Sequence, residues 1–311
     1  MSSSLLRATR WLLLAMCLCL ASCAVLDSSR PGYASLAQDM APDSGLSLHY
    51  ETYGHGKPVV LIHGLGVNSF TWRHLIAPLS QHHRVITLDL KGYGMSPKPD
   101  DDMYSLYDQS RLVSQFIIEH DLRNVTLVGH SYGGGVALAS AVYLSRAHPG
   151  RLERLVLIDS IAYKQSLPMF VRLLATPILG PLLVHLVPET RQIRSIMELT
   201  YYDDRLIENE SVELYAQSLR SPGAKNALLS TARQILPSDI EEFAQMYREL
   251  RVPTLILWGK EDEIIPLSIG QRLAFDLPNA TLKVLADTGH APQEESPKET
   301  LRLIEGFLPD Q

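Results

Sequence analysis

The hydrophobic pattern of this chain changes its period again and again. Residues 46–53 alternate apolar and polar side chains, as an edge strand with one wet face does. Residues 58–63 (Pro-Val-Val-Leu-Ile-His), 84–90, 125–128, 155–158, 253–258 and 280–284 are instead predominantly apolar, which predicts strands buried on both faces. Between these runs the apolar positions recur at helical spacing. Leu106, Leu112, Val113, Phe116 and Ile117 mark a helix over 105–122, and further helices are predicted at 71–81, 133–148, 267–277 and 297–307. Alternating strands and helices, with strands that present no polar face, predict an α/β fold built on a mostly parallel sheet with helices on both faces.

One interval breaks the rhythm. Residues 161–250 carry helical patterns and no convincing strand, and within them 171–187 is strongly apolar, with Arg172 and His185 its only residues able to carry charge. Open α/β sheets bind ligands at the carboxyl edge of their strands. The segment is therefore expected to be a helical lid insertion over that edge, dividing a core of residues 45–160 and 251–311.

The amino terminus belongs to a different problem. Arg7 and Arg10 precede an apolar run at 11–20 that is too short to span a bilayer and suits a signal peptide. Leu20-Ala21-Ser22-Cys23 then resembles a bacterial lipobox. That resemblance implies a signal peptide over 1–22, lipidation at Cys23, a tether over 23–44 and membrane attachment through the N-terminal lipid. With Ala24 rather than aspartate after the cysteine, it implies a cell-envelope lipoprotein of the outer membrane. The alternative is a plain secretory signal and a periplasmic or secreted protein. Cys17, Cys19 and Cys23 all lie in this segment, so the remaining domain is expected to have no disulfide, thiol nucleophile or thiolate metal site. A net charge of −6 with no Lys/Arg cluster excludes a nucleic-acid binder.

The candidate chemistry begins where the 125–128 strand ends. Gly129-His130-Ser131-Tyr132-Gly133 has the form Gly-x-Ser-x-Gly, placed between a strand and a helix rich in small residues. A turn that tight lifts a serine hydroxyl clear of the sheet and leaves the N–H of Tyr132 free for a developing oxyanion. A serine nucleophile needs a base, and the base needs an orienting carboxylate. His290, in Asp287-Thr288-Gly289-His290-Ala291-Pro292 just after the last strand, is the best-placed histidine. His130 adjoins the serine, and neighbours on a tight turn point apart. Asp262 follows the preceding strand in Trp258-Gly259-Lys260-Glu261-Asp262, with Glu261, Glu263 and Asp287 as rivals.

The order Ser131, Asp262, His290 is that of α/β-hydrolases, and the chain resembles that family over about residues 45–309. His63-Gly64-Leu65-Gly66 resembles the family's oxyanion loop, which would pair the N–H of Leu65 with that of Tyr132 and make His63 structural. Asp89-Leu90-Lys91-Gly92-Tyr93-Gly94-Met95-Ser96 resembles the turn after the next strand. The resemblance implies an eight-stranded sheet and a serine hydrolase working through an acyl-enzyme, with no metal and no organic cofactor. An apolar insertion and a lipid tether lean towards a carboxylesterase or lipase acting on an apolar ester. Carbon–carbon hydrolases of ring-fission products are the alternative, although they typically carry tryptophan after the base, where this chain has Ala291. Acyl transfer shares the same residues, and a non-catalytic binding domain is disfavoured because no member of the set is missing.

Overall fold

The computed structural model describes residues 45–309. Its sheet comprises β1 (Tyr50–Tyr53), β2 (Pro58–Ile62), β3 (Arg84–Leu88), β4 (Val125–His130), β5 (Leu152–Ile158), β6 (Thr254–Gly259) and β7 (Ala280–Leu285). Their order is β1-β3-β2-β4-β5-β6-β7, with β1 antiparallel to β3 and every other pair parallel.

The period-two alternation along each strand divides the core between two faces. Val59, Leu61, Val128, Val156, Leu255 and Leu257 point to one side. There they meet Leu75 and Leu79 of α1 (Arg73–Leu79) and Ile304 of the last helix, Pro297–Glu305. Val60, Ile62, Leu127, Leu155, Leu157, Ile256 and Trp258 point to the other. They are covered by α2 (Leu106–Glu119), α3 (Tyr132–Ala147) and the helix Leu267–Asp276. Both faces are therefore dry, which explains why the central strands read as apolar throughout.

The expected eight strands are seven among the described residues. Residues 45–49 run into β1 without forming a strand of their own. Past the end of β1, the ladder continues only as far as the Asp89 N–H donating to the His49 carbonyl at 3.0 Å. The edge strand is also shallower than its alternating pattern suggests, since Tyr50, Glu51 and Thr52 are all exposed.

From β2 the chain moves outward to β3, then crosses back past β2 to β4 on the opposite side. Connections diverge at the carboxyl ends of β2 and β4, and that point of divergence is where open α/β sheets form their ligand crevice.

Between β5 and β6 the described chain is helical. It forms α4 (Met169–Ala175), α5 (Leu179–Leu186), α6 (Glu189–Thr200), α7 (Asn209–Arg220), α8 (Ala224–Gln234) and α9 (Ile240–Ala244), with no strand. The apolar stretch at 171–187 is split between α4 and α5, which bend by 105° across a break containing Pro177. Proline cannot donate a helical hydrogen bond, and it pushes the residue before it out of helical geometry. No single helix among the described residues is long and apolar enough to cross a membrane. A small cluster of Met197, Tyr201, Ile207, Val212 and Tyr215 joins this segment to Ala291 of the core. Three helices complete the order: α10 (Leu267–Asp276) after β6, then the short α11 (Pro292–Glu295) directly before α12 (Pro297–Glu305).

Candidate active site

β4 delivers Ser131 at the crevice in a strained conformation, φ 55° and ψ −119°, as the residue before α3. The two flanking glycines are sterically required. A Cβ on Gly129 would sit 2.3 Å from the Gly133 carbonyl oxygen, and one on Gly133 would sit 2.2 Å from that of His63. The turn is thus locked against β2 and its own helix, and the serine side chain has nowhere to go but outward.

His290 Nε2 lies 2.9 Å from Ser131 Oγ, and His290 Nδ1 lies 2.8 Å from Asp262 Oδ2. With Nδ1–H donating to the carboxylate, Nε2 is left as the acceptor that faces the serine hydroxyl. The other Asp262 oxygen accepts the N–H groups of Ile264 (2.7 Å) and Ile265 (3.0 Å), which fixes the carboxylate in its loop. Burial pushes the Asp262 carboxyl up, but the facing imidazole and these hydrogen bonds hold it below its ordinary range. The three residues the sequence singled out are therefore in contact. Among the rivals, Glu263 and Asp287 are exposed, and Glu261 is drawn to the neighbouring Lys260.

Among the described residues no hydrogen-bond acceptor is found for the Leu65 or Tyr132 N–H; Leu65 lines the cavity, and Tyr132 directly follows Ser131, which lines it too. His63 positions the Leu65 loop. Its ring is wholly buried, with Nδ1–H donating to the Gly64 carbonyl at 2.8 Å and Nε2 accepting from the Leu90 N–H at 3.0 Å. His130 holds the base loop instead of acting on the serine: its Nε2–H donates to the His290 carbonyl at 2.7 Å. Burial, followed by the nearby His290, depresses the His130 ring to about 3, so it stays neutral. Asp89 braces the turn after β3 by accepting the N–H groups of Ser69 and Met95. Cys23 lies outside the described residues.

Three features of the site were not anticipated. Asp159 follows β5, between the strands that deliver Ser131 and Asp262, and is completely buried. Glu295 of α11 accepts the N–H groups of Gly289 (2.9 Å), Ala291 (3.0 Å) and Tyr202 (2.7 Å), which ties the histidine loop to the segment after α6. The Thr200 carbonyl adds to this by accepting the His290 N–H at 2.7 Å. Finally, Glu294 pairs with Arg73 and accepts from Thr71 and Tyr215 on the wall of the cavity.

That cavity, of about 350 Å³, opens onto Ser131 and His290. Phe170, Leu174, Leu183, Ile193, Met197 and Leu219 of the helical segment form much of its apolar lining. Glu294, Thr71, Tyr201 and Tyr215 make a polar side, and Arg191 stands exposed at the rim.

The profile of the alpha/beta hydrolase fold matches residues 57–297. A 2-hydroxymuconate semialdehyde hydrolase from Pseudomonas putida is 33% identical over 278 residues, 85% of this chain and 92% of the relative. Among solved structures, a meta-cleavage product hydrolase from Pseudomonas fluorescens superposes with a TM-score of 0.71 at 27% identity, over 85% of this chain and 94% of the other. A thermophilic esterase from Thermogutta terrifontis gives 0.68 at 26% identity, over 84% and 92%.

Proposed function

The chain belongs to the α/β-hydrolase fold family, and within that family of hydrolases we propose that it is a serine esterase for apolar carboxylic esters. One observation carries the reading: the Ser131–His290–Asp262 hydrogen-bonded relay opens into a cavity lined chiefly by apolar side chains. His290 Nε2 takes the Ser131 proton as Oγ attacks the acyl carbonyl, and Asp262 stabilises the imidazolium that results. The N–H groups of Leu65 and Tyr132 receive the oxyanion, each such donor contributing about 3–4 kcal/mol in comparable enzymes. His290 then protonates the leaving alcohol, and water activated by the same ring hydrolyses the acyl-enzyme. The helices after β5 act as the lid and supply the acyl pocket.

The second reading is carbon–carbon hydrolysis, favoured by the Pseudomonas relatives, whose names specify ring-fission products such as 2-hydroxymuconate semialdehyde. One observation counts against it: Ala291 follows the base, where such ring-fission hydrolases typically carry tryptophan. A p-nitrophenyl ester series from acetate to palmitate, run beside a ring-fission dienoate, separates the two. Ester release that peaks at medium or long chains and disappears in Ser131→Ala is the expected result. Turnover of the dienoate alone overturns the esterase reading. Attachment through a lipidated Cys23 rests on the lipobox resemblance, and Cys23→Ser should move the protein from the membrane to the soluble fraction. Unchanged fractionation would remove that reading.

A further inference from the structure

β5 lies between β4 and β6 in the sheet, so the residue after it emerges between the nucleophile and the acid. That residue is Asp159, at φ 42°, a backbone region that few residues other than glycine, asparagine and aspartate tolerate. Its N–H donates to the Leu257 carbonyl at 3.1 Å, and its Oδ1 accepts the Gly259 N–H at 2.9 Å. Its Oδ2 is buried and meets no N–H or O–H donor. What it does meet is the acid itself. Atoms of the Asp159 carboxyl, the Asp262 carboxyl and the His290 ring all lie within 4.8 Å of one another.

Two carboxylates buried side by side repel strongly, and the imidazole of His290 is the single basic group of this trio. The other acid near enough to matter, Glu295, adds a third negative charge. Sharing a proton resolves the conflict, as it does wherever two carboxyl groups occupy one desolvated site. The proton belongs on Asp159. Asp262 already accepts two backbone N–H groups and the imidazole N–H, all of which favour its charged form.

Building on the serine-hydrolase reading above, we propose that Asp159 is a positioning residue, a neutral carboxylic acid whose Oδ2–H donates to the Asp262 carboxylate. Asp262 is then fixed by donors from two strand ends and faces His290 as a single negative charge. Burial first, and then the charge of Asp262, push the Asp159 carboxyl well above its ordinary range, consistent with this arrangement.

Two measurements on the full chain test the assignment. Infrared difference spectroscopy between wild type and Asp159→Asn at pH 7 should show the loss of a protonated-carboxyl C=O band, because an amide cannot supply one. This readout needs no substrate, so it stands even if the protein cleaves no ester. Absence of the band overturns the proposal. The second measurement is ester kinetics for Asp159→Gly, chosen because glycine tolerates the positive φ and any loss then reflects the side chain. Losing a hydrogen bond to a charged group should lower kcat about tenfold and leave KM within about twofold. Asp159→Asn, which still donates an N–H, should recover most of the loss. Equal losses in the two variants, or none in Asp159→Gly, refute the role. If the glycine variant does not fold, the infrared band decides.

Discussion

The two arms of the helical segment between β5 and β6 are attached in different ways. The first arm, α4 and α5, rests on the domain through apolar contacts and leaves Ile178 80% and Leu186 71% exposed. The second arm, where α6 ends, is hydrogen-bonded to the His290 loop through Thr200 and, by way of Glu295, through Tyr202. A Cβ on Gly289 would lie 2.4 Å from the Thr200 carbonyl oxygen, which shows how tightly the two backbones are pressed together. The lesson is that the segment is not one uniform cover. One arm shapes the cavity, and the other supports the base from outside while His130 supports it from the core.

The contrast can be broken or sharpened by substitution. The largest effect is expected for Glu295→Ala, which leaves the buried N–H groups of Gly289 and Ala291, and that of Tyr202, without their acceptor and lets the His290 loop drift. A displacement of about an ångström at the base lowers kcat about 100-fold, and the orphaned donors cost about 2–4 kcal/mol of stability. Stopped-flow ester kinetics and urea denaturation measure the two separately. A variant that keeps wild-type kcat would show that the second arm does not support the base.

A middle-sized effect comes from the core-side grip. His130 is held near 3 when folded, against about 6.5 in the unfolded chain. Between these values the unfolded state binds a proton that the native state refuses, so stability is lost as pH falls below about 6.5. The loss reaches about 1.4 kcal/mol one unit lower. The buried ring of His63, also depressed by burial first, acts in the same direction. The urea midpoint should therefore drop between pH 7 and pH 5.5, and His130→Gln should flatten that dependence. Identical slopes in the two proteins would contradict the burial argument.

The smallest effect belongs to the first arm. Ile178→Ser with Leu182→Ser alters only exposed positions, so stability should stay within about 0.5 kcal/mol. Turnover of a short ester should change less than about twofold, with any effect confined to long acyl chains. If this variant loses as much as Glu295→Ala, the two arms are not distinct.

Much of this architecture is legible in the sequence because it is local. Strand ends followed by glycine-rich turns announce Ser131, Asp262 and His290, since each sits a few residues beyond an apolar run. The Gly-x-Ser-x-Gly pattern carries its own steric logic. Asp159 also follows an apolar run, yet it reads as an ordinary turn acid until strand order sets β5 beside β6. That adjacency is a long-range fact that no local pattern encodes. Glu294 and Glu295 look like a solvated acidic pair opening a helix, and their partners lie far away in sequence: Tyr202 is 93 residues from Glu295. The expected eighth strand came from family likeness, with no apolar run of its own behind it.

The bond between Thr200 and His290 also has a meaning in time. The serine turn is braced by β2, β5 and its own helix, contacts that do not involve the helices after β5. The imidazole, however, reaches its working position only after the distant helices have docked and taken hold of its peptide. Activity is therefore a certificate of completed assembly, and a half-folded chain carries a nucleophile without the means to use it.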